Sequence, residues 1–223
     1  MKKKILAIAL VVCMAVVAIA GASLAYLTDK DQETNVFTFG KVDIELLEST
    51  LHRQVDNATD EQIIADSATY QAYLAEQGKL MVPGRWVRKA PYIQNIGTNA
   101  AYVRIIVAIP TNVDDKIDFM LYSTGLEAGA FTMGETVTKG DYNYTTFTFT
   151  KPLEPGAVTY YAPFWQFQIK PELDNADLEG LQGIDVEHMV TVYAEAIQAE
   201  TFENAEAAFA AFEVQYEKML PAQ

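Results

Sequence analysis

With 223 residues, 50% of them hydrophobic and 11% aromatic, the chain is long enough and apolar enough to form one domain with a real core, and disorder over its whole length is excluded. A formal charge of −14 argues against nucleic acid as a partner and against docking on anionic lipid. The single cysteine, Cys13, lies in an N-terminal apolar run, so neither disulfides nor thiol chemistry are expected in the rest of the protein.

Lys2, Lys3 and Lys4 precede an uncharged apolar run from Ile5 to Ala20, and small residues follow as far as Ser23-Leu24-Ala25. This is the layout of a secretory signal peptide, with Ser23 and Ala25 at the small positions and cleavage expected before Tyr26. Residues 1–25 hold three lysines and no acids, so their removal takes the charge from −14 to −17. Lipid attachment at Cys13 is disfavoured, because Val12 stands where a lipobox needs a small residue, although Leu10 fits. A retained signal anchor is the nearer rival, since the run approaches the roughly 20 residues that span a bilayer. No later segment is apolar enough to cross a membrane, and no LPxTG sequence stands near the C-terminus.

The stretch Tyr26-Leu27-Thr28-Asp29-Lys30 leads through Asn35 into Phe37, Phe39, Val42, Ile44 and Leu46. The period-two pattern changes register at Gly40, which predicts one strand with a bulge or kink there. Residues 50–79 combine a polar loop (Asp56, Asn57, Thr59, Asp60) with helically spaced Ile63, Ile64, Tyr70, Tyr73 and Leu74, and read as an insertion with one or two short helices. Leu80-Met81-Val82-Pro83-Gly84 opens a second strand block. Val87, Pro91 and Ile93, then the turn Asn95–Asn99, predict a strand, a turn and its partner. That partner is Ala101 to Ile109, apolar on both faces and so buried on both.

Asp114 to Leu121 is predicted as a short helix and Phe131 to Val137 as a strand. Tyr142 to Thr150 alternates strongly, and the Pro/Gly segment 151–156 predicts a hairpin to Ala157–Lys170. An acidic loop at 171–185 precedes an alternating strand from Val186 to Ile197. Phe202, Ala205, Phe209, Phe212 and Tyr216 then step by three and four, the period of a helix, with Thr201 as its N-cap. Eight or so strands without βαβ alternation predict an all-β, antiparallel β-sandwich with short helical insertions and a C-terminal helix.

Chemistry-bearing patterns are scarce. The two histidines, His52 and His188, have no zinc-ligand spacing, no G-x-S-x-G elbow occurs, and no glycine-rich phosphate loop occurs. Satisfied or solvent-facing histidines are the preferred reading, with no catalytic, cofactor-binding or metal residues. Asp114, Asp115 and Asp118, or Asp174, Asn175 and Asp177, offer oxygen ligands for calcium, but neither set has EF-hand spacing, and solvated loop acids are the simpler reading. Tyr142, Tyr144, Tyr160, Tyr161, Phe164 and Trp165 form either a sugar-binding platform or, more simply, core and cross-strand pairs.

Two segments resemble the TasA/camelysin family of secreted proteins of Gram-positive bacteria. The first runs from small-Ala and an aromatic through Thr28-Asp29 to Asn35-x-Phe37-x-x-Gly40-x-Val42-Asp43-Ile44. The second is Val82-Pro83-Gly84, then Pro91-x-Ile93-x-Asn95-x-Gly97, then Ala101-Tyr102-Val103-Arg104. The likeness is dense over 20–47 and 80–109, looser at 186–200, and absent from the insertion. It implies a signal peptide (1–25) cut by a SipW-type signal peptidase and a single jelly-roll domain (26–223). It implies location in the extracellular matrix or at the cell surface, with membrane contact only through the uncleaved signal segment. It also implies a structural role in a biofilm matrix, through fibres built by donor-strand addition to itself or a related matrix protein. The donor would be a mobile segment at 26–35, including Tyr26, Leu27, Thr28, Asp29 and Asn35. Camelysin relatives carry a metalloprotease label, which the sparse histidines disfavour. A monomeric binding module for a glycan or surface protein, or an accessory fibre subunit, is the alternative.

Overall fold

The computed structural model describes residues 28–32, 35–37, 42–78, 82–121, 130–174, 176–181 and 189–219. Its strands are β1 (Thr28–Gln32), β2 (Asn35–Phe37), β3 (Ile44–Ser49), β4 (Trp86–Arg88), β5 (Ala90–Asn95), β6 (Ala101–Pro110), β7 (Ile117–Leu121), β8 (Phe131–Met133), β9 (Val137–Lys139), β10 (Tyr142–Phe149), β11 (Phe164–Ile169) and β12 (Thr191–Gln198). All named pairings are antiparallel. A seven-stranded sheet runs β2-β1-β12-β6-β10-β8, with β9 also paired to β10. The opposing layer consists of β4-β11-β7 and β3-β5. Hydrogen bonds from Lys89 N to the Trp165 carbonyl (3.0 Å) and from Thr159 N to the Ile93 carbonyl (2.8 Å) tie its two parts together.

The core lies between these layers, as expected of a β-sandwich. Val103, Ile105, Val107 and Ile109 of β6 meet Phe147 and Phe149 of β10 and Val192, Ala194 and Ala196 of β12 from the large sheet. Ile44, Val87, Ile93, Phe164, Phe167 and Ile169 close it from the other side. The large-sheet residues recur every second position within each strand, which is why these segments take the pleated form, while a bulge between Phe164 and Gln166 sets Phe164 and Phe167 three apart in β11.

Helices pack on both layers, and Tyr70 and Leu74 of the insertion reach the main core. The insertion forms α1 (Arg53–Asp56), α2 (Asp60–Ser67) and α3 (Tyr70–Gly78). Thr59 and Gln62 make a reciprocal capping box that starts α2. Ile63 and Ala58 pack with Leu47, Ala90, Tyr92 and Ala162 on the smaller layer. Asp66 holds the insertion down, accepting from the Ser49 hydroxyl (2.7 Å) and the Thr50 backbone N–H (2.6 Å). A one-turn helix, α4 (Thr111–Asp114), follows β6, and α5 (Ala205–Met219) lies over the large sheet, packing Ala208, Phe209 and Phe212 on Tyr102 and Ile197.

Several local expectations change. Residues 35–47 are not one kinked strand: β2 belongs to the large sheet and β3 to the opposing layer, so the register jump marks a change of layer. Segment 114–121 is a strand from Ile117, with Ile117 on the core and Phe119 packed against it. Its period-two spacing outweighs the helix-starting look of the preceding acids. The Asn95–Asn99 turn joins β5 and β6 of different layers, and 151–156 is likewise a crossing, because β10 already has β6 on one side and β8 and β9 on the other. Asn204, not Thr201, caps α5, its side-chain oxygen accepting from Ala207 N at 2.9 Å. Gly84 and Gly156, at φ 79° and 80°, take the left-handed position of Pro-Gly turns, where a side chain would be strained.

Candidate functional site

The arrangement with the clearest capacity to engage another molecule is the strand pair at one end of the large sheet. β12 alternates Val192, Ala194 and Ala196 toward the core with Tyr193, Glu195 and Ile197 on the outer face. On one flank it pairs with β6 from Thr191↔Ala108 to Gln198↔Ala101. On the other it pairs with β1: Thr28↔Ile197, Asp29↔Ala196, Lys30↔Glu195 and Asp31↔Ala194. β2 folds back on β1, with Asn35 opposite Gln32 and Phe37 opposite Lys30.

Of the residues singled out from sequence, Thr28 and Asp29 therefore lie in β1, and Asn35 begins β2. Ser23, Ala25, Tyr26 and Leu27 lie outside the described residues. A strand at this position satisfies the N–H and C=O groups along the flank of β12 that faces away from β6. Any chain delivering an antiparallel strand there can do the same work, which is the physical basis of strand addition.

Across the sheet, Glu195 stands opposite Arg104 of β6. The Glu195 residue is only 5% exposed, and its carboxylate accepts from Arg104 Nε (2.8 Å) and Nη2 (2.7 Å). Arg104 Nη1 also reaches Glu213 of α5 at 3.0 Å, and the guanidinium lies 4.4 Å from the centre of the Phe209 ring. Two acids and an aromatic face compensate for the loss of water around one cation. Arg104 thereby ties β6, β12 and α5 together. Neither Glu195 nor Glu213 was singled out from sequence. The available signal was a charged residue at mid-strand in each of two strands otherwise apolar on both faces.

The remaining candidates do not converge. His52 is buried, lies beside Trp165 (5.4 Å between ring centres, planes tilted by 43°), and caps α1 by accepting from Val55 N at its Nδ1. Burial holds its pKa below the ordinary imidazole value; nearby Asp56 opposes that shift and Arg88 adds to it. Asp56 accepts from the His52 backbone N–H (2.8 Å) and from Arg88 (2.6 Å). Burial pushes its carboxyl up, but these two donors more than offset the push and leave it low. His188 lies outside the described residues.

Asp114 accepts from Asn143 (2.7 Å), Asp115 pairs with Lys116 (3.2 Å), and Asp118 belongs to β7, so the three do not form a cage. Asp174 is occupied by the backbone N–H groups of Ala176 and Asp177, at 2.8 and 3.1 Å, and Asn175 is outside the described residues. Among the described residues, no group of three or more His, Cys, Asp or Glu is placed to hold a metal ion. The aromatics divide between layers: Tyr142 and Tyr144 lie on β10, while Tyr161 and Phe164 are buried in or beside the opposing layer. Among the described residues, no helix is long and apolar enough to cross a membrane. A cleft of about 570 Å³ opens between α5 and the threonines of β8 and β10, bounded by Thr132, Thr148, Phe209 and Glu213.

Comparison with protein-family models finds no match, and comparison with curated proteins finds none either.

Proposed function

We propose that this chain is a secreted structural protein of a bacterial surface or biofilm matrix, and that its copies join by exchanging the N-terminal strand. The observation that supports this reading is the placement of β1. It stands at the beginning of the described chain, pairs antiparallel with the outer flank of β12, and among the described strands carries only β2 beyond it. In a free molecule the strand fills its own chain's flank. In a fibre the same strand occupies the flank of the next copy, in the same register. That contact is head-to-tail and does not close on itself, so it propagates. Cleavage before Tyr26 releases the segment and acts as the switch. The jelly-roll winding, the SipW-type peptidase and the extracellular location belong to the same reading.

The same placement favours one alternative, an accessory or terminal subunit whose flank stays filled by its own β1. Electron microscopy of negatively stained protein separates the two. Protein starting at Tyr26 is expected to form filaments with time, and protein starting at Val36 is not. Filaments from both forms contradict strand exchange. Monomers from both favour the accessory subunit.

A further inference from the structure

We infer that Glu195 is the register key of the β12 flank: it selects a strand that presents a cation at the position opposite it, which in this chain is Lys30. The physical problem is one of sliding. A strand that binds through backbone groups alone has no preferred register, because N–H and C=O groups repeat along it. The sequence of β1, Thr-Asp-Lys-Asp-Gln, supplies no apolar alternation to set one.

β12 supplies the missing signal. Its residues in register with β1 are Ala194, Glu195, Ala196 and Ile197, so one charge stands among apolar neighbours. That charge is fixed in place, because Arg104 holds the Glu195 carboxylate through two nitrogens and is itself held by Glu213 and Phe209. The observed register puts Lys30, the one cation of β1, opposite it. A shift of one residue in either direction would place an aspartate opposite Glu195 instead, and like charges directly opposite one another are destabilising. Lys30 flanked by Asp29 and Asp31 is thus a three-residue code, read by one buried carboxylate. The partner it fits is an extended segment with a single cation between acids, which a second copy of this chain carries.

The pairing within one chain needs no assumption about fibres. Its extension to pairing between copies rests on the function proposed above. The test uses protein starting at Tyr26, which contains every described element, and follows amide hydrogen exchange at residues 28–32 and 191–198. Lys30→Glu is expected to raise exchange of the β1 amides about fivefold, and Lys30→Arg to leave it at the parent rate. Combining Lys30→Glu with Glu195→Gln is expected to remove most of the increase, because the repelling charge is gone. Unchanged exchange of the β6 amides shows that the fold persists in each variant. If Glu195→Gln does not fold, the contrast between Lys30→Glu and Lys30→Arg still decides. Equal exchange in Lys30→Glu, Lys30→Arg and the parent overturns the inference, and so does an effect of Lys30→Glu that Glu195→Gln leaves intact. In the second arm, fluorescently labelled Lys30→Glu protein is mixed with growing parent filaments and is expected to be incorporated several-fold less. If the parent forms no filaments, the function proposed above fails, while the exchange result still stands for or against the register key.

Discussion

β12 is held differently on its two flanks. β6 meets it over eight residue pairs and shares the core with it, setting Val103, Ile105 and Val107 beside Ala196, Ala194 and Val192. β1 meets it over four pairs, two of which set an aspartate opposite an alanine. One neighbour is built into the sandwich through side chains that leave water. The other pairs through its backbone, in a register that sets one lysine opposite one glutamate. A strand held in the first way leaves only when the protein unfolds, whereas one held in the second way can detach while the sandwich stands. The strand exchange proposed above needs both, a fold that stands and an edge that opens.

That contrast can be broken from the β6 side first. Ile105→Ala is expected to destabilise the whole domain by about 4 kcal/mol, read as a lower denaturant midpoint. Arg104→Leu is expected to lose about 3 kcal/mol, because it removes two donors from the buried Glu195 carboxylate and the ion pair that holds α5 to the sheet. A smaller effect, about 2 kcal/mol, is expected for Asp66→Ala, which leaves Ser49 and Thr50 without their acceptor at the insertion; proteolysis of residues 50–79 should accelerate with it. Ile105→Ala and Asp66→Ala act on parts held by side-chain burial or specific hydrogen bonds, and neither should preferentially loosen β1.

Acid titration sharpens the comparison differently. The His52 pKa is lower in the folded protein than in the unfolded chain, so unfolding takes up a proton in acid. Stability from the neutral imidazole is present above about pH 6.5 and is lost as pH falls from there through the folded-state value. His52→Asn keeps a cap for α1 and should flatten this part of the pH–stability profile. Exchange at β1 should not follow the imidazole, since the insertion lies on the opposite layer. The smallest expected effect is that of removing residues 26–35, a change in the unfolding free energy of about 1 kcal/mol or less, because the segment's sequence holds few apolar residues.

Period-two spacing made the individual strands legible: β6, β10 and β12 follow from Val103-x-Ile105-x-Val107, Phe147-x-Phe149 and Val192-x-Ala194-x-Ala196. Turn residues did not show which layer a strand joins. Asn95–Asn99 and the Pro-Gly segment at 151–156 carry ordinary turn signals, yet both conduct the chain from one layer to the other. Local chemistry sets the bend, while pairing depends on which edges remain open. Thr201 and Asn204 are both good capping residues three positions apart, and only the packing of Ala205, Ala208 and Phe209 chooses between them. At the candidate site, β1 lacks the alternation that reveals a strand, because all five of its residues are polar. Glu195 and Arg104 are 91 residues apart, so nothing local joins them before the sheet forms.

Cysteine cross-linking tests strand exchange most directly, because residues after Cys13 include no native cysteine to interfere. Two versions of the Tyr26-start protein would be made, one with Asp29→Cys and one with Ala196→Cys, positions that face each other in the β1–β12 register. They would be mixed under assembly conditions and oxidised. Exchange gives a disulfide joining the two different chains, abundant in the mixture and absent when either version is oxidised alone. A cross-link that forms only when both cysteines are in one chain, in protein that still assembles, would contradict the account.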